Sequence, residues 1–272
     1  MGDRLEGKVA IITGAGRGIG AAIAKRFAAE GAKIVICDLL KEGLEETASA
    51  CPEGSALPFP SDVRKIEDAQ AMVDAALKFG GKIDILVNDA GITRHGAVAE
   101  AKLDEWMDVI ETNLFGPFYI MRAVIPHMID AGGGSIVSIS SLAGIRRVPE
   151  ASAYSTSKSG LIGLAQSVAF DYGKHNIRSN IICPGLTHTN NVDLMAENMG
   201  KARGVSKETV LENMVRYSPI RRLVPTDEIA HAAVYFASDE STTVTGAVLS
   251  VDSGTAIVDA SIAGFDPHER LR

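Results

Sequence analysis

Short apolar runs of strand length alternate with segments of helical periodicity along most of this chain. The runs are apolar at every position rather than at every second one, which is typical of strands covered on both faces of a sheet. Repeated strand–helix–strand units with right-handed crossovers predict an α/β fold, a doubly wound parallel sheet with helices on both faces. The predicted strands are Val9–Thr13, Lys33–Cys37, Ala56–Phe59, Ile83–Val87, Ser135–Ser140, Ile177–Cys183 and Ala247–Val251. The predicted helices are Ile19–Glu30, Leu44–Ala50, Ile66–Phe79, Leu103–Ile110, Leu114–Ile129, Tyr154–Lys174 and Asp227–Ala237.

We expect the 272 residues to form a single domain, because the pattern shows no linker and no internal repeat. One long stretch, Leu186–Ser218, has neither strand nor helix pattern. Loops of this length are usually lids or disordered segments, and a lid over the substrate (residues 186–218) is the preferred interpretation. The tail, residues 259–272, is left unassigned; packing on a neighbouring molecule and disorder both stay open.

Charge and cysteine usage narrow the class of protein. The net charge is −7, which argues against a nucleic-acid partner. No apolar run reaches the length of a membrane span, and the first residues lack a secretory pattern, so a cytoplasmic protein is expected. Cys37, Cys51 and Cys183 are scattered, which suits a reducing compartment, and no metal site is expected.

A glycine-rich loop, Thr13-Gly14-Ala15-Gly16-Arg17-Gly18-Ile19-Gly20, joins the first predicted strand to the first predicted helix. Glycines there allow a tight turn, close approach of backbone to a pyrophosphate, and close helix–strand packing. The phosphates would meet free N–H groups at the positive end of the helix dipole. Glycine loops alone are weak signals, but this one has the strand–helix context of a dinucleotide site. The expected cofactor contacts in it are Gly14, Arg17, Gly18, Ile19 and Gly20.

Asp38 ends the second predicted strand, twenty residues after Gly18. A carboxylate there can accept the adenosine ribose hydroxyls and would repel the additional phosphate of NADP. NAD is therefore the expected cofactor. Arg17 favours NADP instead, since its side chain could pair with that phosphate.

The chain resembles the short-chain dehydrogenase/reductase family, non-extended branch, over nearly its whole length. That resemblance rests on six ordered elements and implies a Rossmann-like, nucleotide-binding oxidoreductase. The elements are the TGxxxGxG loop at 13–20, Asp62-Val63, Asn88-Asp89-Ala90-Gly91, Asn113, Ser141 with the YxxxK segment Tyr154–Lys158, and Pro184-Gly185. Further cofactor contacts implied by it are Asp62, Val63, Asn88, Ala90, Gly91, Tyr154, Lys158, Pro184, Gly185, Thr187 and Thr189. Two positions depart from the family pattern: Asp89 replaces an asparagine and Ser253 a glycine.

Tyr154 and Lys158 are four residues apart on one predicted helix, so their side chains share a face. A tyrosine hydroxyl is a poor base at neutral pH, and a nearby ammonium stabilises the phenolate that general base catalysis needs. Ser141 would donate to the carbonyl or alkoxide oxygen. The resemblance implies that Asn113 holds a water that links Lys158 to solvent. Ser140 is the rival to Ser141, and the family's spacing to the tyrosine selects Ser141.

The substrate is harder to infer. A bulky or cyclic secondary alcohol or ketone (steroid, terpenoid or alicyclic) is preferred because the lid carries Met195, Met199 and Met214, although packing explains these methionines equally well. Arg146 and Arg147 could meet an anionic group, and solvated arginines are the alternative. The expected substrate contacts are His95, Ser141, Leu142, Tyr154 and His188.

Two other functions stay open. The first is a 3-oxoacyl carrier-protein reductase, although Met128–Gly133 offers no basic residue for docking an acidic carrier. The second is a non-catalytic dinucleotide sensor, which typically lacks the tyrosine or the lysine. The apolar helices Leu114–Ile129 and Tyr154–Lys174 suggest, with the resemblance, a homotetramer or homodimer.

Overall fold

The computed structural model describes residues 2–259, and within this range seven strands form one sheet. The strands are β1 (Val9–Thr13), β2 (Lys33–Asp38), β3 (Ala56–Pro60), β4 (Ile85–Asn88), β5 (Gly134–Ile139), β6 (Ile177–Pro184) and β7 (Val248–Val251). They lie in the order β3-β2-β1-β4-β5-β6-β7, and every neighbouring pair is parallel. The predicted doubly wound parallel sheet is confirmed.

Helices cover both faces of the sheet, and two apolar layers lie between them and the strands. One layer contains Ile12 of the first strand and Phe27; the other contains Ile11 and Met72. Successive strand residues point to opposite faces, so a sheet covered on both sides needs apolar residues at every position. The helices are α1 (Gly18–Ala29), α2 (Lys41–Ser49), α3 (Ile66–Gly80), α4 (Leu103–Ile110), α5 (Gly116–Asp130), α6 (Leu142–Ile145), α7 (Ser152–Tyr172), α8 (Asn190–Arg203), α9 (Lys207–Val215) and α10 (Thr226–Ala237).

The strand order reverses beside β1, which pairs with β2 on one side and with β4 on the other. The chain winds outward from this point in both directions. The loops at the carboxyl ends of β1 and β4 therefore diverge and leave a crevice between them, the usual ligand position in open α/β sheets.

The region around Asn113 differs from the prediction of two helices separated by a break. Helix α4 passes directly into a π-helical turn, Glu111–Phe115, which continues into α5. Pro117 lies in the first turn of α5, where a missing N–H costs little. The extra residue of the π turn thus accommodates Asn113 without ending the helix.

The prediction that 186–218 is irregular was wrong, because α8 and α9 occupy most of this segment. Thr189 caps α8 by accepting from Val192 N at 3.4 Å, and Ser206 caps α9 by accepting from Thr209 N at 3.1 Å. These capping residues were readable in the sequence, but the helices lack the apolar periodicity that would have drawn attention to them.

The tail predicted at 259–272 lies outside the described residues, apart from Asp259. Within residues 2–259, no helix combines the length and the apolar character needed to cross a membrane.

Glu30 follows α1 and is a buried acid held by two arginines. Its Oε1 accepts from Arg4 Nη2 at 2.7 Å and from Arg26 Nη2 at 2.6 Å. The Arg4 hydrogen bond, with help from Arg26, outweighs burial and lowers the pKa of Glu30 to about 2. Glu30 also joins the N-terminal segment to α1, because its carbonyl accepts from Leu5 N at 3.0 Å.

A Glu30→Gln substitution should lower the free energy of unfolding at neutral pH by about 1 to 3 kcal/mol, since the three hydrogen bonds from Arg4 and Arg26 lose their charged acceptor. A folded-state pKa below the unfolded value stabilises the protein above the unfolded pKa, and this stabilisation is lost as the pH falls from 4.5 towards about 2. Urea unfolding at several pH values measures the effect. Glu45→Gln, in an exposed pair with Lys41, is the control and should change little. This account would be contradicted if Glu30→Gln lowered the free energy of unfolding by the same amount at neutral pH and at about pH 3.

Candidate active site

A cleft of about 1290 Å³ follows the carboxyl ends of β2, β1, β4, β5 and β6. Small-molecule sites usually measure about 300–1,000 Å³, so this cleft has room for a dinucleotide and a second ligand. The structure brings most of the predicted site residues to its wall: Gly14, Arg17, Gly18, Ile19, Asp38, Asp62, Val63, Ala90, Gly91, His95, Ser141, Leu142, Tyr154, Lys158, Pro184, Gly185, Thr187, His188 and Thr189. Gly20, Asn88 and Asn113 are not on that wall.

The glycine loop between β1 and α1 brings bare backbone to the cleft. Gly14 has φ +70°, and a Cβ there would lie 2.7 Å from Ala90 N. Gly18 has φ +60°, and the space above it is open as far as Thr189 Cγ2, 3.8 Å from the position of a Cβ. Gly20 has a packing role, because a Cβ there would overlap the Gly14 carbonyl oxygen. The Arg17 side chain makes no capping bond to α1 in the described chain, so this helix start fits the phosphates of a dinucleotide.

Asp38 stands against the glycine loop. Its Oδ2 accepts from Gly16 N at 3.0 Å, and its Oδ1 accepts from Leu40 N at 3.0 Å. A Cβ on Gly16 would come within 3.0 Å of the Asp38 carboxyl carbon, so this glycine is needed for the approach. Arg17 is exposed beside it.

Asp62 is oriented by a residue that was not predicted, Arg64. Arg64 Nε donates to Asp62 Oδ1 at 3.0 Å, and Arg64 Nη2 donates to Oδ2 at 2.7 Å. The Arg64 hydrogen bonds lower the pKa of Asp62. The next residue, Val63, packs closely on Gly116. A Cβ added to Gly116 would lie 2.9 Å from Val63 Cγ2. The pairing of Arg64 with Asp62 depends on a bidentate geometry that the spacing of the two residues in the sequence does not reveal.

Tyr154 and Lys158 lie on one face of α7, as predicted. Lys158 is 4% exposed, and its Nζ lies 5.8 Å from the centroid of the Tyr154 ring. The same Nζ donates to Ile139 O, at the end of β5, at 2.8 Å. Tyr154 is half-buried and opens to the cleft. The ammonium is thus fixed beside the phenol.

The two serines that follow β5 have different surroundings. Ser140 is buried, and its Oγ donates to Lys158 O at 2.8 Å, which ties the strand to α7. Ser141 caps α6 by accepting from Ala143 N at 3.1 Å, so its hydroxyl proton is left for another acceptor. Ser141 is the better placed of the two to donate to a ligand.

Asn113 lies within the π turn and is fully buried. Its Oδ1 accepts from Ile92 N at 2.8 Å, and its Nδ2 donates to Ile92 O at 2.9 Å and to Ser157 Oγ at 3.1 Å. Gly91 lies between it and the lysine: a Cβ there would stand 3.3 Å from Asn113 Oδ1 and 3.4 Å from Lys158 Nζ. The asparagine therefore positions the loop that follows β4 against α7.

Asn88 is buried at the end of β4, behind the wall. Its amide nitrogen and oxygen have no hydrogen-bond partner in the described part of the chain. Its part in cofactor binding stays a prediction.

The far end of the cleft holds the residues expected to meet the substrate. Gly96 N donates to Glu150 O at 2.7 Å, which holds the His95 loop beside the start of α7. His188 Nε2 lies 3.4 Å from Asp193 Oδ2, so this side chain connects the cleft to α8. Lys207 of α9 also binds Asp193, at 2.7 Å.

Arg146 and Arg147 are not among the residues that line the cleft. Arg146 donates to Ala256 O, and Arg147 donates to Ala143 O and to Ser159 Oγ, both at 3.0 Å. Neither arginine is positioned for the anionic group considered above, and both bind protein oxygens rather than solvent alone.

Ser253, where the family pattern has glycine, keeps a glycine-like backbone with φ +57°. Its Oγ donates to Arg222 O at 3.0 Å, which offsets some of the cost of this conformation. The substitution leaves the turn intact.

Several residues of the wall were not predicted. They lie in loops, in the first turn of α8 or on α10, where no motif marks them, and they include Thr93, Val148, Ala151, Leu186, Asn191, Asp227 and His231. Loop residues that carry no periodic pattern give a single sequence no signal. Among residues 2–259, no group of three or more His, Cys, Asp or Glu side chains is arranged to hold a metal ion.

Comparison with known proteins gives matches over almost the whole chain. Residues 14–256 match a family described as enoyl-(acyl carrier protein) reductase. A 3-oxoacyl-(acyl-carrier-protein) reductase FabG of Thermotoga maritima is 38% identical, covering 93% of this chain and 100% of the relative. A trans-4-hydroxycyclohexanecarboxylate dehydrogenase of Sinomonas cyclohexanicum is 39% identical, covering 93% and 95%.

Among solved structures, L-sorbose reductase of Gluconobacter frateurii, complexed with NADPH and L-sorbose, superposes with a TM-score of 0.90. It is 31% identical and covers 95% of this chain and all of that one. The sheet order, the cleft and these matches agree. The chain therefore belongs to the short-chain dehydrogenase/reductase family, whose members use a nicotinamide dinucleotide to interconvert CH–OH and C=O groups.

Proposed function

We propose that this protein is an NAD(H)-dependent dehydrogenase/reductase for a bulky or cyclic secondary alcohol or ketone, with Tyr154, Lys158, Ser141 and Asn113 as its catalytic machinery. The observation that carries the proposal is the placement of the Lys158 ammonium, 5.8 Å from the Tyr154 ring and fixed by Ile139 O, at the end of the cleft that Ser141 also lines.

Tyr154 takes the proton of the alcohol during oxidation and returns it to the ketone oxygen during reduction. The fixed Lys158 ammonium places a positive charge beside the ring that makes this proton transfer. Ser141 donates its remaining proton to the same substrate oxygen and so fixes the orientation of the carbonyl. When bound, the nicotinamide accepts or supplies the hydride.

Lys158 completes the proton path in this proposal, and Asn113 supports it by positioning the neighbouring loop and helix. One hydrogen of Lys158 Nζ is used by Ile139 O, which leaves two for the dinucleotide ribose, the tyrosine or a water. Asn113 acts as a positioning residue, because its amide holds the Ile92 backbone and Ser157. Gly91, Ala90, Pro184, Gly185, Thr187 and Thr189 are proposed to hold the nicotinamide half of the cofactor.

The preference for NAD over NADP is proposed on the basis of Asp38. Its carboxylate is fixed by Gly16 N and Leu40 N at the edge of the cleft, where ribose hydroxyls can donate to it. A phosphate at the same place would meet a fixed negative charge. Arg17 is exposed in the neighbouring loop, and none of the hydrogen bonds that Asp38 accepts in the described chain comes from its side chain.

The substrate class is supported by the walls of the cleft. Leu142, Val148 and Leu186 supply apolar contact, and His95 and His188 supply polar groups. A relative that is 39% identical acts on a hydroxycyclohexanecarboxylate by its name, and this supports a cyclic alcohol. We propose that 186–218, with α8 and α9 joined through Asp193 and Lys207, is the lid.

Reduction of a 3-oxoacyl carrier-protein substrate is the second candidate, favoured by the 38% identity to the Thermotoga enzyme. The end of α5 argues against it, because Asp130 is exposed there and no basic residue follows before β5. A screen of alicyclic ketones, sugars and a 3-oxoacyl thioester with NADH and NADPH distinguishes the two candidates. A thioester turned over faster than every ketone would favour the second.

Assembly and compartment are part of the proposal. Phe118 on α5 and Phe170 on α7 are 45% and 89% exposed, and such apolar surface suits a homotetramer or homodimer. Light scattering coupled to size exclusion tests this, and a monomer would contradict it. The free thiols of Cys37, Cys51 and Cys183 fit a reducing, cytoplasmic setting.

A Tyr154→Phe substitution should reduce turnover by about 10² to 10⁴-fold, because the proton donor and acceptor is lost. NADH binding, followed by fluorescence, should be retained. Tyr172→Phe, at the other end of the same helix, is the matched control and should keep normal turnover. Turnover of Tyr154→Phe close to that of the wild type would contradict the mechanism. A wild-type protein that binds NADH but converts no tested alcohol or ketone would favour the sensor alternative.

An Asp38→Asn substitution should lower the ratio of kcat/KM for NADH over NADPH by about tenfold or more, because the charge that repels the additional phosphate is removed. Initial rates with both cofactors measure the ratio. Asp74→Asn, on the exposed face of α3, serves as a control for the loss of one negative charge. An unchanged ratio in Asp38→Asn, or a wild type that prefers NADPH, would refute the proposed NAD preference.

A further inference from the structure

We infer that Asp89 is a further cofactor-binding residue, and that it binds the dinucleotide in its protonated form, so that cofactor uptake is coupled to the uptake of one proton. The inference rests on the proposed use of NAD. It concerns the one position of the Asn88–Gly91 segment at which the chain departs from the family pattern.

Asp89 lies directly beneath the start of α1. Its N–H donates to Thr13 Oγ1 at 3.2 Å, which fixes the residue at the end of β4. Its Oδ2 lies 2.7 Å from the position that a Cβ on Gly20 would occupy, so the carboxyl group packs against the first turn of α1. Asp89 also lines the cleft. The carboxyl group therefore lies against the helix start that faces the cofactor phosphates in the proposed function.

Two anions at one helix start repel each other, although each alone is stabilised by the helix dipole. An ionised Asp89 carboxylate and the cofactor pyrophosphate would both lie at the start of α1 and would repel each other. The protonated acid removes the repulsion and gains an O–H donor. In both respects it resembles the neutral asparagine of the family pattern, which can also donate.

The charged groups that face Asp89 are Lys158 from α7 and Asp38 from β2. Burial raises the pKa of Asp89 to about 7; Lys158 and the Gly20 N–H oppose the rise, and Asp38 adds to it. The residue is half-buried and lines the cleft, and burial is the largest of these causes. The free protein is thus divided between the two protonation states near neutral pH. A bound phosphate favours the protonated state, so affinity should fall as the pH rises through about 7.

NADH fluorescence titrations at constant ionic strength test this coupling, since the two diester phosphates of NADH keep their charge across the range. For the wild type, Kd should be constant below about pH 6 and should rise by up to about tenfold for each pH unit above 7. Asp89→Asn should give a flat profile and should bind NADH more tightly than the wild type at about pH 8.5. Asp74→Asn, the surface control, should keep the wild-type profile. An Asp89→Asn variant that keeps the wild-type profile would overturn the inference.

If Asp89→Asn does not fold, calorimetry of the wild type tests the same inference by measuring proton uptake on NADH binding. NADH binding at about pH 8, measured in two buffers with different ionisation enthalpies, should be accompanied by uptake of close to one proton. An uptake of zero would overturn the inference. Failure to bind NADH at any pH would overturn the proposed NAD dependence together with this inference, whereas tight binding with no pH dependence would overturn the inference alone.

Discussion

The arrangement of the site depends on how α7 is fixed to the end of β5. Two hydrogen bonds of 2.8 Å run in opposite directions: Ser140 Oγ donates to Lys158 O, and Lys158 Nζ donates to Ile139 O. Both are buried, where leaving either partner unpaired would be costly. Gly144 allows the approach, because a Cβ there would lie 2.6 Å from Ser140 Oγ. These bonds set the position of Tyr154, one helical turn earlier, relative to Ser141.

The parallel sheet explains why residues so distant in sequence meet. Each strand ends at the same edge, so the loops after β1, β2, β4, β5 and β6 all face one cleft. The ends of β1 and β2 supply the glycines and Asp38, and the elements after β4 and β5 supply the residues proposed for proton transfer. In the proposed function, the cofactor and the substrate lie end to end along this cleft, and α7 contacts both, through Lys158 and Tyr154.

Much of the fold could be predicted from the sequence because its causes are local. A strand buried on both faces must be apolar throughout, and Ile11 and Ile12 show this by packing into different layers. The glycine loop, Asp38 and the Tyr154–Lys158 spacing are short-range patterns of the same kind. The π turn around Asn113 and the helices within 186–218 were missed, because their stability comes from capping bonds and tertiary contacts rather than from periodicity.

Other features of the site could not be predicted because they depend on which side chains the fold brings close together. Arg64 clamps Asp62 through a bidentate geometry, and Asp89 meets Gly20 of another element. The sequence marked Asp89 only as a departure from a family pattern. Its chemical consequence depends on burial and on the charges of Lys158 and Asp38, which come from two other elements.

The most direct test of the central claim is a crystal structure of the complex with NADH and an unreactive ketone or alcohol analogue. The account predicts that the analogue's oxygen lies within hydrogen-bonding distance of both Tyr154 Oη and Ser141 Oγ, with the nicotinamide ring over its carbon and Lys158 Nζ beside the cofactor ribose. A complex in which the nicotinamide lies away from Tyr154, or in which Lys158 leaves Ile139 O and points away from the cleft, would contradict it.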